Sequence, residues 1–146
     1  MSIKWSGAMS TLTMEERLKQ DTPVTDLIRE LGNSSLQGFL TGLMGKRGIS
    51  TDALAELAAL NRTSLYRILN GETRHPQRNV LLRLALVLRL SFEETQELLH
   101  YGGRASLSGR RARDILLSDG IIRGRSIDEV NERLRAHYFL DLYSKE

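Results

Sequence analysis

The sequence has no cysteine, which excludes a disulfide framework and a thiolate metal site. Aromatic residues make up only 5% of its 146 residues, so there is little material for stacking on unpaired bases. The longest uninterrupted apolar run, Leu84 to Leu88, is far too short to span a membrane. The N-terminus also lacks the apolar stretch of a signal peptide. We therefore expect a cytoplasmic protein with no membrane partner.

Positive charge is concentrated in the middle of the chain. Residues 46–113 carry twelve basic and six acidic side chains, whereas the segments on either side are slightly acidic. Between Arg62 and Arg89 there are six arginines and a single acid, Glu72. A charge run of this kind is commonly only a solvated surface. Arginine, however, suits the planar recognition of phosphates and bases better than lysine does, which makes this segment the candidate for contact with nucleic acid.

The spacing of apolar residues predicts an all-α protein, because no stretch shows the alternation typical of a strand. Capping residues and glycine or proline mark the ends of the helices. The expected helix starts are near Thr13, Pro23, Ser34 or Ser35, Ser50 or Thr51, Asn61, Asn79, Ser91, Arg110 and Ser126. The same spacing predicts that Leu54, Leu57 and Ala58 are buried together, and that Tyr138 lies on the apolar side of the last helix.

Two short helices are expected within Leu54–Gly71, separated only by residues 60–61. Helices joined by so short a turn must cross at a steep angle. The second helix carries an apolar stripe formed by Leu65, Ile68 and Leu69. Because a helix turns about 100° per residue, a stripe that faces inward leaves a polar face outside. That outer face comprises Arg62, Thr63, Ser64, Tyr66, Arg67 and Asn70.

This outer face suits the major groove of DNA. A helix-turn-helix unit places the start of its second helix against the base edges. Arginine can donate two hydrogen bonds to guanine, and serine and threonine can pair with several bases. The face contains no acid that would repel DNA. We therefore predict that the bases are contacted by Arg62, Thr63, Ser64 and Arg67.

The stretch DALAELAALNRTSLYRILNGETRHPQRNVLLRLALVL resembles the lambda repressor/Cro-like (XRE-type) helix-turn-helix family. The matching elements are Leu54, Ala55, Ala59, Leu60, Asn61, Leu65, Ile68, the Asn-Gly pair at 70–71 and Pro76. The following SFEETQELL is similar to the usual last helix of the domain, so the resemblance covers roughly Leu36 to Gly102.

The resemblance implies a five-helix lambda-repressor-like helix-turn-helix domain over residues 34–103. An N-terminal helical segment, partly flexible, would precede it over residues 1–33. A C-terminal helical extension would follow over residues 104–146, and it looks like one that some bacterial members carry. The implied function is that of a transcriptional regulator that binds double-stranded DNA without a cofactor, associated with the nucleoid.

The chain departs from the family pattern at three places. Ala59 stands where the turn commonly has glycine, which requires that Ala59 remain helical, and Leu69 stands where an acid is often found. The first helix of the helix-turn-helix unit usually opens with a glutamine, and this chain has residues 50–52 there instead. Asp52 would repel a phosphate at the start of this helix. We therefore predict that the DNA backbone is contacted elsewhere. The candidates are Lys46, Arg47, Tyr66, Asn70, Arg74, His75, Gln77 and Arg78.

Other functions have less support. The glycines around Lys46 miss the phosphate-loop pattern, because Leu40 and Arg47 stand at two of its fixed positions. The three histidines lie apart, and no catalytic, cofactor-binding or metal-binding residue is predicted. The main alternative is a protein-interaction module, an adaptor or antitoxin-like subunit that retains only the helix-turn-helix shape. RNA binding is a third alternative, although the major groove of an RNA duplex is too narrow for a helix.

The sequence of the C-terminal extension indicates that it packs either on its own chain or on a partner. Residues 137–143, HYFLDLY, are too apolar to remain in water and should dock on the core or on a partner chain. Because one recognition helix covers only a short half-site, we expect a homodimer. The two helices of the extension could form the dimer surface, bind a regulatory protein, or pack on their own chain.

Overall fold

The computed structural model describes residues 14–19, 23–24 and 35–145, and in these residues all regular structure is helical. The helices are α1 (Met14–Lys19), α2 (Leu36–Arg47), α3 (Thr51–Leu57), α4 (Arg62–Leu69), α5 (Arg78–Val87), α6 (Phe92–Tyr101), α7 (Ala112–Arg123) and α8 (Ile127–Ala136). Each falls short of the length and apolarity that a bilayer-spanning helix needs. The helix expected after Pro23, with Val24, Leu27, Ile28 and Leu31, lies outside the described residues except at residues 23–24.

Side-chain caps start five of these helices. Ser35, Ser50 and Asn61 each accept a hydrogen bond from a backbone N–H in the following first turn, at 2.8–3.1 Å. The two predicted capping boxes, at residues 91–94 and 126–129, are both formed. Such caps satisfy N–H groups that have no partner within the helix. The predicted caps at these starts are therefore confirmed.

Six of the described helices end in the same backbone turn, in which a residue with positive φ is followed by an N–H that donates to the carbonyl five residues earlier. After α3, α5 and α8 this residue is Ala59, Arg89 and Tyr138, with φ of 55°, 51° and 63°. The condition that Ala59 remain helical is therefore not met. Its left-handed conformation lets the N–H of Leu60 donate to the carbonyl of Ala55 at 2.8 Å, which reverses the chain between α3 and α4.

The core surrounds α5, which is buried on nearly every side. α3 packs against it, and Leu54, Ala55 and Ala58 are buried. The prediction that Leu57 is buried is wrong, because its side chain is 61% exposed. A helix this short buries only one face, and Leu57 lies about 100° around the helix from the centre of that face. Ala55 takes the core position instead.

The C-terminal extension shares this core. α7 and α8 pack against α5, and Leu117, Leu134 and Leu142 lie in the same buried cluster as the leucines of α2–α6. The backbone N–H of Leu142 also donates to Asn131 Oδ1 at 2.7 Å, so the tail docks on its own chain. Tyr138 is 97% exposed, contrary to prediction. The chain leaves α8 at this residue, and Tyr138 no longer follows the helical spacing on which the prediction depended.

Candidate nucleic-acid interface

α4 rests on α2 and α3 and exposes its opposite face. Leu65 and Ile68 of the predicted inward stripe are buried, and Leu69 is partly buried against the same core. Asn61 Oδ1 accepts a hydrogen bond from the N–H of Thr63 at 2.8 Å, and this cap sets where the helix begins. The exposed residues are Arg62, Thr63, Ser64, Tyr66, Arg67 and Asn70. No part of the chain that the structure describes covers this outer face.

Each arginine of α4 lies near one acid outside the helix. Arg62 Nε is 3.5 Å from Asp52 Oδ1, and Arg67 Nε is 3.7 Å from Glu72 Oε2. All four side chains are more than half exposed. Ion pairs this exposed contribute about 0–1 kcal/mol to stability. Both guanidinium groups can therefore exchange the acid for a base or a phosphate at little cost.

The end of α4 is shaped by a pair of polar residues. Asn70 Oδ1 accepts a hydrogen bond from the N–H of Glu72 at 2.9 Å, and its Nδ2 donates to Glu72 Oε1 at 3.2 Å. Gly71 between them has a φ of 87°, which glycine adopts without steric cost. Asn70 therefore orders the turn after α4, and a contact between its amide and DNA would require it to release Glu72.

The predicted phosphate contacts divide into exposed and engaged side chains. The exposed group comprises Lys46 at the end of α2 and Arg74, His75 and Gln77 in the loop before α5. Within this group the Nδ1 of His75 also lies 3.1 Å from the carbonyl oxygen of Gly102. Arg47 is partly engaged, because its Nε donates to the carbonyl of Leu88 at 2.7 Å and its Nη2 lies 3.3 Å from Glu94 Oε1. Arg47 thus ties α2 to the turn between α5 and α6, and only part of its guanidinium remains for a phosphate.

Arg78 has an internal role instead of the predicted phosphate contact. Its two terminal nitrogens donate to the two carboxylate oxygens of Asp114 at 2.8 and 3.0 Å. The side chains are only 15% and 4% exposed. Burial raises the pKa of Asp114, but hydrogen bonds from Arg78 and from the N–H of Ser108 outweigh it, so the pKa lies below its ordinary value. An arginine held this way joins α5 to α7 and is not free to hold DNA.

Arg104 is a residue near this surface that the sequence analysis did not single out. Its Nε donates to the carbonyl of Pro76 at 2.7 Å, and its Nη2 donates to the carbonyl of His75 at 2.8 Å. Both acceptors belong to the loop that carries Arg74. The only sequence signal was the position of Arg104 within the basic segment 46–113, since hydrogen bonds over such a separation leave no local pattern.

Residues 36–98 match the family model described as a helix-turn-helix domain. No curated protein and no solved structure matches the chain. The matched segment contains α2 to α5 and most of α6, with α3, the Ala59 turn and α4 near its centre. The short turn between α3 and α4, the buried stripe and the exposed outer face of α4 are the features by which such a domain is recognised. Residues 36–98 of this chain are therefore similar to a helix-turn-helix domain in both sequence and geometry.

Proposed function

We propose that the protein is a sequence-specific transcriptional regulator that inserts α4 into the major groove of double-stranded DNA. The observation that carries this proposal is the outer face of α4, which is polar, free of acids and uncovered by any described residue. Helices presented in this way enter the groove with their first turns against the bases. Such a regulator would act in the cytoplasm, at the nucleoid.

The side chains around α4 divide into two proposed roles. Those proposed to contact bases are Arg62, Thr63, Ser64 and Arg67, since guanidinium and hydroxyl groups recognise base edges. Those proposed to contact the DNA backbone are Tyr66 and Asn70 on the flanks of α4 together with Lys46, Arg47, Arg74, His75 and Gln77. Backbone contacts set the register of the protein on the duplex and add affinity without sequence preference.

Selection of bound sequences from random duplex DNA tests the function as a whole. A regulator should enrich one motif, and its affinity should fall with salt at a log–log slope of about −0.9 for each phosphate neutralised. An adaptor or antitoxin-like interaction module would enrich no motif and show no such slope. A protein that instead preferred single-stranded RNA in the same assay would overturn the proposal in favour of RNA binding.

Arg67→Ala should weaken binding to the selected site by about 1–3 kcal/mol, and it should relax sequence preference at one base pair. The reason is the loss of two directed hydrogen bonds to one base. The matched control is Arg123→Ala on α7, because Arg123 is similarly exposed (65% against 61%) and also lies near one acid. Titration of both variants against the selected site and single-base variants of it measures the effect. If Arg67→Ala behaves like the control, Arg67 does not contact a base.

We also propose that the protein binds as a homodimer through α7. Ile115 and Ile122 lie seven residues apart on one face of this helix and are 52% and 68% exposed. Ile122→Glu should convert a dimer into a monomer in sedimentation experiments, whereas Tyr138→Glu, at a more exposed site, should not. A truncation after Gly109 would not be a clean test of the dimer surface, because it also removes the core residues Leu117 and Leu134. A wild-type protein that is monomeric both free and on a palindromic site would contradict this proposal.

A further inference from the structure

The loop between α4 and α5 has few hydrogen bonds of its own. It carries the exposed Arg74, His75 and Gln77, three of the side chains proposed to contact phosphates. Within the loop and its flanks, the N–H of Thr73 donates to the carbonyl of Arg67 at 2.9 Å, and Glu72 forms the two hydrogen bonds with Asn70 described above. The further supports of the loop come from residues that follow α6, more than 25 positions later in the chain.

The main support consists of hydrogen bonds that two arginines, one in each segment, donate to backbone carbonyls of the other segment. Arg104 donates to the carbonyls of His75 and Pro76 at 2.8 and 2.7 Å. Arg78, which begins α5 directly after the loop, donates in return to the carbonyls of Ala105 and Ser106, both at 3.0 Å. Each segment therefore supplies a guanidinium to the carbonyls of the other, and neither can move alone without breaking both sets of bonds.

The linker between α6 and α7, which carries Arg104, is itself fixed to the core. The N–H of Ser108 donates to Asp114 Oδ2 at 3.0 Å, and Asp114 is the buried partner of Arg78. On the other side, the amide group of Gln96 in α6 exchanges two hydrogen bonds with the backbone of Leu107, at 2.8 and 3.0 Å. The linker is therefore held in place by α6 and α7, and its hydrogen bonds to the loop connect the loop to these two helices.

The linker and the loop also approach closely at one glycine. A Cβ placed on Gly103 would lie 2.6 Å from His75 Nδ1, and Gly103 has a φ of 70°. The same ring nitrogen lies 3.1 Å from the carbonyl oxygen of Gly102. The His75 side chain can therefore pack on the end of α6 only because glycine leaves room for it.

We propose that residues 104–108 form a brace that holds the 72–77 loop in the geometry required to contact the DNA backbone, with Arg104 as its main positioning residue. The inference rests on the proposed function and deepens it. Arg104 acts on the loop carbonyls and does not need to touch DNA. A loop that is already ordered loses less conformational entropy on binding than a flexible one. The C-terminal extension would in this way raise DNA affinity although it contributes no base contact.

The brace can be tested in the free, full-length protein by NMR relaxation of the backbone amides of Arg74, His75 and Gln77. In the wild type these amides should have order parameters of about 0.85, the value for rigid backbone. In Arg104→Ala the same order parameters should fall below about 0.6. Arg104→Lys keeps one charged donor and should restore part of the order. Arg110→Ala, which removes an exposed arginine six residues later, should leave the loop unchanged. Unchanged order parameters in a folded Arg104→Ala would overturn the brace.

Binding to duplex DNA of random sequence tests the consequence for function through a double-mutant cycle. Arg104→Ala should weaken binding about tenfold in the wild-type background and much less when Arg74, His75 and Gln77 are already alanine, since the phosphate contacts that the brace positions are then absent. Equal effects in the two backgrounds would overturn the link between Arg104 and the loop. A wild type that shows no salt-dependent binding to DNA would contradict both the proposed function and the role of the brace in DNA binding. The order parameters would still show, independently of DNA, whether Arg104 holds the loop.

Discussion

Arg78→Ala is expected to lower the free energy of unfolding by about 3–5 kcal/mol, because it leaves the carboxylate of Asp114 buried without its counter-ion. The two side chains are 15% and 4% exposed, and their bidentate geometry makes the pair stronger than a surface ion pair. The variant also frees the carbonyls of Ala105 and Ser106, which accept hydrogen bonds from Arg78. Urea denaturation near neutral pH measures the loss.

The control for this prediction is Arg123→Ala, which breaks an exposed pair with Asp119 one helical turn away. Such a pair contributes only about 0.3–0.5 kcal/mol. A loss for Arg78→Ala that is no larger than that of the control would show that the buried pair does not stabilise the fold. A double variant, Arg78→Met with Asp114→Leu, should recover much of the loss, since it leaves no unpaired charge.

The same pair predicts how stability depends on pH. The pKa of Asp114 is lowered in the folded protein, so folding favours its ionised form. This contribution is fully present above the pKa of an unfolded aspartate, about 3.9, and is lost as the pH falls through the lower folded pKa. In Arg78→Ala the pKa of Asp114 should rise instead. The difference in stability between the wild type and this variant should therefore begin to shrink as the pH falls through the raised pKa of Asp114 in the variant, and it should continue to shrink until Asp114 is protonated in both folded proteins.

Leu134→Ala is expected to lower the free energy of unfolding by about 2–5 kcal/mol, the range for removing a buried leucine side chain. Leu134 is fully buried in α8, in the cluster that also contains leucines of α4 and α5. If the extension and the helix-turn-helix domain unfold together, NMR signals from α4 and α8 should disappear at the same urea concentration. Leu140→Ala, at a site 68% exposed, serves as the control and should change stability by less than about 0.5 kcal/mol.

The outcome of the Leu134 experiment also tests the division of the chain at residue 104. A separate domain would let α8 unfold first while α4 stays folded. Coincident unfolding would show that residues 104–146 are a structural part of the same unit as the helix-turn-helix segment. The second outcome is the one that the proposed brace requires, because a linker that unfolds independently cannot hold the 72–77 loop.

Much of the candidate site could be predicted because its signals are local. The Asn61 cap and the Leu65–Ile68 stripe lie within two helical turns, and together they orient the outer face of α4. The residues proposed to contact bases follow directly from that orientation. The roles of Arg78 and Arg104 could not be predicted, since a basic residue in a basic segment has the same sequence pattern whether it faces DNA or a buried acid.

By itself the sequence determined the helical class, the starts of the five helices with side-chain caps and the inward and outward faces of the helix-turn-helix unit, because caps and apolar spacing act over only a few residues. The tertiary structure alone decided that the extension packs on its own chain, that Ala59 is left-handed and that Leu57 is exposed. It also decided which arginines are engaged within the protein and which remain exposed. These outcomes depend on contacts between residues tens of positions apart and on how tightly the chain must turn, and neither leaves a periodic pattern in the sequence.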